Sequence, residues 1–298
     1  LMELISFEPK TAPSFTLPMQ ETVIVPIGDI QVGAAGADLD RLKRHIDWAL
    51  KTFPKNVYFI GMGDYLDIAS PSNRAALYRI KGDLYESVHS MMDDGVDRQL
   101  TKLKSILRPT VGRWLGLITK GHHYWEFGDG TTSDTRLAAF LEAPLLGHCA
   151  LIHLIFKDKK GKRKVIAKVW AHHGQGGGTT LEAALRKVRT NVAPYWFANV
   201  YLIGHYHQKA TTPLPWIDTH LPEVEGAKIE WNSVSRYIVS TGSFLRGYEA
   251  GSKDAAGYPA GMYPEVGMLP PNVLGGPVVF IRPRRRFNRT VVDVNVSV

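Results

Sequence analysis

Five short clusters of carboxylate, imidazole and amide side chains stand beside glycines in this chain of 298 residues. They occupy residues 28–31, 63–67, 121–123, 172–174 and 204–207. Their chemistry-bearing members are Asp29, Gln31, Asp64, Asp67, His122, His123, His173, His205 and His207. Carboxylate and imidazole suit divalent manganese, iron, zinc or nickel, whereas a thiolate zinc site or an all-oxygen calcium site would need other ligands. The clusters therefore predict one metal site.

Each cluster follows a hydrophobic run that is typical of a buried strand. The predicted strands are residues 21–27, 57–62, 114–119, 164–170 and 200–203. Asp38 is expected to cap a helix that Pro54 ends, and a long helical stretch over 73–107 is predicted with breaks near Gly82 and Gly95. Alternating strands and helices predict an open α/β sheet, with the chemistry at the carboxyl ends of its strands.

The second half of the chain has a more antiparallel pattern. It predicts a hairpin of residues 151–156 and 164–170, a helix over 179–192, and strands at 237–240, 278–281 and 291–296. These strands would form a second sheet packed on the first. The predicted organisation is an N-terminal extension (1–20) and a single domain (21–298), whose part from about 208 to 277 is rich in surface loops.

Composition narrows the class of protein. A hydrophobic content of 44% allows a large buried core. Cys149 is the single cysteine, so a disulfide framework is excluded and a reducing compartment is favoured. The sequence shows no signal-peptide pattern, and no run reaches the ~18 apolar residues that a membrane span requires. A cytoplasmic location without a membrane partner is expected.

The charge balance predicts an anionic partner, because the net charge is +8 and the pI is about 9.4. The basic residues are densest over 157–164 and 282–289. The first tract is interpreted as the solvated tip of a hairpin. For the arginine-rich second tract, a solvated surface and a contact with phosphate are equally supported.

The ligand types also predict a reaction. Asp64 follows Gly63 on a tight turn, where its carboxylate could bridge two ions. Two ions about 3.5–4 Å apart polarise a phosphoryl oxygen, lower the pKa of a water and align the attacking and leaving groups. Hydrolysis of a phosphoester is the reaction that most needs all three effects.

The clusters resemble the calcineurin-like metallophosphoesterase family, whose pattern runs DxH, GDxxD, GNH followed by Asp or Glu, a later His-Gly, and GHxH. The match extends from about residue 23 to residue 207. The resemblance implies an α/β fold, a four-layer α/β/β/α sandwich of two mixed β-sheets flanked by helices. It also implies two divalent metal ions, with manganese as the first expectation and zinc, iron or nickel as alternatives.

The resemblance further implies which residues bind each ion. Those of the first ion are Asp29, His207 and the bridging Asp64, with Gln31 beside them; those of the second ion are Asp64, His173, His205 and His122.

Two catalytic roles and three departures also follow from the resemblance. His123 matches the family histidine that protonates the leaving oxygen, and Asp67 matches the acid that orients it. A carboxylate beside an imidazole favours the protonated donor. The chain departs from the family at Gln31, where the family has histidine, at His122, where it has asparagine, and at Tyr124, where an acid is usual. An amide oxygen is a weaker ligand than imidazole, so the first ion is expected to bind loosely.

Substrate-binding residues are less well defined. Arg136 follows a run of hydroxyl side chains and could contact phosphate near a helix N-terminus. A helix cap formed by Thr132 or Ser133 explains the same segment and is favoured. Tyr124 is a second candidate for contact with the substrate, because exposed aromatic rings stack on unpaired bases.

Three functional hypotheses remain open. The leading one is a metal-dependent phosphodiesterase acting on nucleic acid, with DNA or RNA as the partner. The second is a phosphomonoesterase acting on a nucleotide or phosphoprotein. The third, of another class, is a non-catalytic phosphate- or nucleic-acid-binding protein with a degraded metal centre. A homodimer is one option for the oligomeric state.

Overall fold

The computed structural model describes residues 12–81, 84–119, 121–161, 164–176, 180–220, 226, 228–248, 263–286 and 289–298. Its helices are α1 (Leu39–Thr52), α2 (Pro71–Lys81), α3 (Glu86–Leu107), α4 (Ser133–Leu141), α5 (Leu181–Asn191) and the short α6 (Tyr263–Val266), with a 3-10 turn at Arg108–Thr110. Its strands are β1 (Ser14–Pro18), β2 (Thr22–Ile27), β3 (Val57–Gly61), β4 (Trp114–Ile118), β5 (Leu145–Gly147), β6 (Cys149–Lys157), β7 (Lys164–His172), β8 (Val200–Ile203), β9 (Lys209–His220), β10 (Glu230–Thr241), β11 (Val278–Arg286) and β12 (Arg289–Ser297).

Across the described residues the strands form two sheets. The first sheet has the order β12-β11-β2-β3-β4-β5, and the second has the order β1-β6-β7-β8-β10-β9. Strands β2 to β5 are parallel to one another, and β11 runs antiparallel to β2. In the second sheet β7, β8 and β10 are parallel to one another. Strand β6 runs antiparallel to β7 and parallel to β1, and β9 runs antiparallel to β10. Both sheets are therefore mixed.

Three hydrophobic clusters separate four layers. One cluster lies between the sheets and includes Ile24 and Val169. A second joins the outer face of the first sheet to α1, α3 and α4, through residues such as Leu42 and Leu103. A third joins α5 to the second sheet, with Val188 against Tyr201. The predicted fold class, a four-layer α/β/β/α sandwich, is confirmed.

Local sequence explains the elements that lead to the clusters. Strand β2 is buried along its whole length, as its continuous apolar run predicts. The side chain of Asp38 caps α1 by accepting a hydrogen bond of 2.9 Å from the Arg41 amide. Leu42 and Ile46 then lie on the buried face of that helix, so the predicted capped helix is confirmed.

One predicted helix break is wrong. Helix α3 continues through Gly95, whereas the predicted break near Gly82 falls at residues 82–83, outside the described part of the chain. A glycine inside a helix costs about 1 kcal/mol relative to alanine. Burial of neighbours such as Val96 and Leu100 offsets that cost.

The expectation of a loop-rich part from about 208 to 277 is wrong for two long stretches. Strands β9 and β10 pair along 12 residues each, from Lys209 opposite Thr241 to His220 opposite Glu230. Pro213 and Pro215 in β9 weaken the strand signal in the sequence, yet β9 is an edge strand, where proline is tolerated. Residues 249–262 of this part lie outside the described residues.

The N-terminal extension and the membrane expectation can also be compared with the structure. Strand β1 pairs in parallel with β6, so residues 14–18 of the predicted extension belong to the second sheet. Residues 1–11 lie outside the described part. No helix among the described residues combines the length and the apolar character needed to cross a membrane.

Candidate metal centre

The five clusters converge at one end of the sandwich. Each one begins where a buried parallel strand ends, and their order is Asp29 after β2, Asp64 after β3, His122 and His123 after β4, His173 after β7, and His205 and His207 after β8. Because parallel strands end at the same edge of a sheet, the carboxyl ends of both sheets deliver these side chains to one place.

The backbone at these strand ends turns sharply. Left-handed φ angles occur at Asp29 (47°), Gln31 (56°), Asp64 (50°), His205 (72°) and His207 (56°), which are five of the eight such non-glycine residues in the described chain. This conformation is disfavoured for residues with a Cβ, at a cost of order 1–3 kcal/mol each, and it concentrates at functional sites. The turns aim the five side chains into a shared space.

Asp64 lies at the middle of the centre. One ligand atom from each of Asp64, His122, His173 and His205 lies within 4.8 Å of the others. The Oδ2 atom of Asp64 is 3.2 Å from His173 Nε2, which is 3.1 Å from His122 Nδ1. The Oδ1 atom accepts hydrogen bonds from the backbone amides of His122 (2.5 Å) and His123 (2.9 Å). One carboxylate and three imidazoles form a donor set that suits a divalent transition metal.

The surroundings of His173 favour metal binding by Nε2. The carbonyl oxygen of Met62 lies 2.7 Å from Nδ1 and can only accept a hydrogen bond, so Nδ1 carries a proton and Nε2 faces the centre. Burial lowers the pKa of His173, but the charge and hydrogen bond of Asp64 outweigh it and raise the pKa to about 9. Burial would raise the pKa of Asp64, but His173 holds it well below its ordinary value. The centre therefore attracts positive charge.

His122 remains a neutral ligand. Burial, together with the charges of His205 and His173, lowers the pKa of His122 to about 4. Its ring lies between theirs, with the centroid 4.3 Å from that of His205 and 5.0 Å from that of His173. A neutral imidazole keeps a lone pair that a metal ion can use.

A second group of donors adjoins the cluster. Asp29 is completely buried, and its Oδ2 atom accepts a hydrogen bond of 2.9 Å from the His205 amide. Its Oδ1 atom has no hydrogen-bond partner and lies 3.3 Å from His207 Nε2. A buried carboxylate oxygen without a partner is costly, and a cation would remove that cost. Asp29 and His207 therefore lie beside the Asp64 cluster as further donors for a cation.

Gln31 is the weak member of this group. Its Nε2 atom is 3.4 Å from Asp64 Oδ2, so the side chain donates to the carboxylate that two ions would share. An amide in this orientation turns its donor, and not its oxygen, toward Asp64. The structure thus places Gln31 at the centre but gives it a hydrogen-bonding role.

Two glycines permit the close approach of the cluster loops. A Cβ at Gly121 would collide with Asp64 Oδ1 and would lie 2.7 Å from the Asp64 amide nitrogen. A Cβ at Gly63, whose φ is +92°, would lie 2.7 Å from His173 Nδ1. Real Cβ atoms do not come so close to other heavy atoms, so a larger residue at either position would push the ligands apart.

The His123 and Asp67 side chains form the predicted pair beside the centre. His123 Nδ1 lies 3.1 Å from Asp67 Oδ1, and both side chains are partly exposed. Burial lowers the pKa of His123, but the hydrogen bond of Asp67 and the charges of Asp64 and Asp67 outweigh it and raise the pKa above its ordinary value. The pair is positioned to hold a proton at the edge of the metal centre.

A cleft of about 560 Å³ opens over these groups. The metal-centre side contributes Gln31, Asp64, His123, His205 and His207, and the opposite wall contributes Leu245, Pro264, Leu269, Pro270 and Asn272. Among the described residues, no lysine or arginine lines this cleft. Within this described lining, the histidines are the side chains that can carry positive charge.

The two candidates for substrate contact lie elsewhere. Arg136 pairs with Asp97 at 3.0 Å and with Asp129 at 2.8 Å, and its guanidinium lies 3.5 Å from the Phe127 ring centroid. Thr132 caps α4 in a capping box, so the cap interpretation of this segment is confirmed. Neither Arg136 nor Tyr124 lines the cleft, and their contact with the substrate stays a prediction without geometric support.

Two supporting residues were not found from the sequence. Ser243 Oγ and the Phe244 amide donate hydrogen bonds of 2.9 and 3.0 Å to the Asp29 carbonyl. These bonds fix the turn that carries Asp29 after β2. Ser243 follows Gly242 at the end of β10, the same strand-then-glycine signal that marks the five clusters, so it could have been found.

Arg74 is the other supporting residue. From α2 its Nη1 atom donates to the carbonyls of Ala69 (2.6 Å), His122 (2.6 Å) and Tyr124 (3.2 Å), and its guanidinium carbon is 3.8 Å from the Tyr124 ring centroid. It thereby fixes the loop that carries His122 and His123. The sequence of α2 contains no signal for this role.

Comparison with known proteins gives only distant similarities. No protein-family model matches the chain, and no curated protein matches it. A single-mutant Vps29 of Entamoeba histolytica has 13% sequence identity and a TM-score of 0.35, with 93% of this chain and 99% of that chain covered. Vacuolar Protein Sorting 29 of Cryptosporidium parvum has 13% identity and a TM-score of 0.29, with 93% and 98% covered. The site geometry alone supports the functional argument.

Proposed function

We propose that this protein is a metal-dependent phosphoesterase that hydrolyses phosphodiesters, with nucleic acid as the proposed substrate class. One observation carries the proposal: strand ends from two sheets bring a carboxylate and three imidazoles within 4.8 Å, beside a buried carboxylate oxygen that accepts no hydrogen bond. The residues that would hold two divalent ions are Asp29, Asp64, His122, His173, His205 and His207.

The chemistry divides between the ions and the chain. Divalent ions at such a site polarise phosphoryl oxygens and lower the pKa of a water. His123 is placed to supply the proton that the leaving oxygen needs, and its raised pKa favours the protonated form. Asp67 lies against Nδ1 of the ring and so leaves Nε2 free for the substrate. Proton donation by a positioned side chain contributes roughly 10²–10⁴-fold to a rate.

The lining of the cleft favours a diester over a monoester. A monoester carries close to two negative charges at neutral pH, whereas a diester carries one, and the monoester therefore gains more from neighbouring arginine or lysine. Among the described residues the cleft has neither. Its wall of Leu245, Pro264 and Leu269 instead offers an apolar surface to a sugar, base or aryl group attached to the phosphate.

Hydrolysis assays with matched substrates test the proposal. The protein is incubated with Mn²⁺ and with bis-(p-nitrophenyl) phosphate, p-nitrophenyl phosphate, or labelled single- and double-stranded DNA. The expected result is metal-dependent diester turnover that His123→Ala lowers by about 10²-fold or more, with little effect on metal affinity. The exposed His148→Ala serves as a matched control. Turnover of the monoester alone would show a phosphomonoesterase instead.

A non-catalytic binding protein is the second candidate, and Gln31 is the observation that favours it. The amide of Gln31 donates to Asp64 where the family resemblance expects a histidine ligand. If the first ion does not bind, phosphate could be held without being hydrolysed. Calorimetry with Mn²⁺ counts the ions: two bound ions support the enzyme, and one ion without turnover supports the binding protein.

A further inference from the structure

The densest basic tracts of this chain lie away from the metal centre. The net charge is +8, yet no described lysine or arginine lines the cleft. The two densest basic tracts fall on the β6–β7 and β11–β12 hairpins. Strand pairing shows where these hairpins point.

Both hairpins project from the pole opposite the centre. Strand β11 runs antiparallel to β2, with Ile281 opposite Thr22, so residues 282–286 continue past the amino end of β2 while Asp29 follows its carboxyl end. Strand β7 reaches the centre at its carboxyl end, and its first residue, Lys164, pairs with Lys157 of β6 at the far end. Each strand advances about 3.3 Å per residue, so several residues of strand separate the tracts from the centre by roughly 20–30 Å.

The two hairpins lie next to each other. Val165 of β7 and Val292 of β12 pack against the same inter-sheet cluster, each close in sequence to a basic tract. Their cationic side chains are therefore spread over one surface, which we call the basic pole. Its members on described residues are Lys157, Lys159, Lys160, Lys164, Arg284, Arg285, Arg286 and Arg289.

Acidic residues neutralise this surface only in part. Arg284 Nε and Arg286 Nη2 lie 3.2 and 3.5 Å from the two oxygens of Asp293, so one carboxylate serves two guanidinium groups. Both arginine side chains are more than half exposed (57% and 56%). Glu21 pairs with Arg282, and Asp158 lies within the first tract itself. Surface pairs of this kind contribute little and are readily exchanged for other anions.

We propose that the basic pole binds the phosphate backbone of nucleic acid at a site separate from the metal centre. Guanidinium groups match phosphate with paired hydrogen bonds, and a two-stranded ribbon is narrow enough to enter a groove. Cations spread over two hairpins fit a repeating polyanion better than a single phosphate. Such contacts give affinity without reading sequence.

An exposed aromatic residue at the same pole points to nucleic acid among the possible polyanions. Trp231 lies near the start of β10, and β10 runs parallel to β8 toward the centre, so its beginning lies at the far end. The Trp231 side chain is 78% exposed, and Ile217 on the paired strand is 69% exposed. Aromatic rings beside cations are the usual means of holding unpaired bases. A surface for an acidic protein or a lipid headgroup does not need base stacking.

This proposal does not depend on hydrolysis at the metal centre. Binding is measured by fluorescence anisotropy, with EDTA present and in the His123→Ala background, on labelled 30-nucleotide single-stranded and duplex DNA. The test variant is R284A/R285A/R286A, and the control is R44A/R98A/K102A, which removes three exposed charges elsewhere. Thermal unfolding of each variant verifies that it folds.

The expected result is binding that weakens with salt in the parent and is at least tenfold weaker in the test variant, with the salt slope reduced by about 2–3. The control variant should bind within about twofold of the parent. Trp231→Ala should weaken binding to the single strand more than to the duplex. Equal binding by test and control variants, or binding to phosphatidylserine vesicles without binding to DNA, would overturn the proposal.

Discussion

Replacing Arg74 with alanine is the perturbation that most directly tests how the metal centre is held. Arg74 contacts the loop of the metal centre through the backbone of that loop: it donates to the carbonyls of Ala69, His122 and Tyr124. Its guanidinium also covers the Tyr124 ring. The family resemblance expects an acid at position 124. In this chain position 124 is a tyrosine, and Arg74 stacks on its ring. We expect this pair to fix the loop that carries His122 and His123.

The magnitude follows from these contacts. A hydrogen bond from a charged donor contributes roughly 1.5–3 kcal/mol, and a partly exposed cation–π contact about 0.5–1 kcal/mol. The three carbonyls share one nitrogen atom, so their contributions do not add fully, and a loss of about 2–3 kcal/mol of loop stability is expected. Mutation of a residue that hydrogen-bonds to a metal ligand typically lowers metal affinity or activity 10–100-fold. We therefore expect Arg74→Ala to weaken Mn²⁺ binding by that factor.

The assay is calorimetric titration of Mn²⁺ into Arg74→Ala, Arg74→Lys and the control Arg79→Ala, which removes an exposed arginine from the same helix. Lysine lacks the planar fork, so it should recover only part of the affinity. Tyr124→Ala combined with Arg74→Ala should cost less than the sum of the single changes, because the two side chains contact each other. If Arg74→Ala binds the ion as tightly as Arg79→Ala, Arg74 does not position the loop.

Three further predictions follow. Gln31→His should raise the affinity for the first ion about tenfold, since imidazole is the better ligand, and a calorimetric titration that is unchanged would refute the assigned position. Gly121→Ala should abolish binding of both ions, as measured by the same titration, because the new Cβ would strike Asp64. Burial and the charge of Asp64 raise the pKa of Asp134 from 3.8 to about 7. When folding raises the pKa of an acid, the folded protein loses stability as the pH rises from the unfolded pKa of that acid through its folded pKa. Asp134→Asn should therefore stabilise the metal-free protein at pH 8 by up to about 4 kcal/mol and have little effect at pH 4. Denaturant unfolding at both pH values checks this sign.

The sequence predicted that these side chains lie close together because its information is local. Five candidate ligands stand beside a glycine shortly after a buried strand: Asp29, Asp64, His122, His173 and His205. The carboxyl ends of parallel strands must share an edge, so spacing along the chain translates into proximity in space. The capped helix after Asp38 was predictable for a similar reason, since cap and first turn are neighbours in sequence.

Features that depend on distant partners were not predictable in this way. Strand β9 contains Pro213 and Pro215, which disfavour a strand until pairing with β10 places them at an edge. Arg74 is an ordinary helical arginine until the fold brings Ala69 and His122 to it. The same holds for Gln31, whose sequence position marks it as a ligand, although in the fold its amide donates to Asp64.

The metal centre and the basic pole should respond differently to a chelator. In the absence of metal, three carboxylates (Asp29, Asp64 and Asp67) face two histidines with raised pKa values (His173 and His123), so the negative charges exceed the positive ones. No described arginine or lysine lines the cleft. Two divalent ions would bring four positive charges and reverse the sign of the potential that an approaching phosphate meets. Phosphate binding at the cleft should therefore require metal, whereas nucleic acid at the basic pole should bind equally well in EDTA. A chelator thus separates the two sites: it removes binding of a small phosphodiester and leaves binding of a long strand intact.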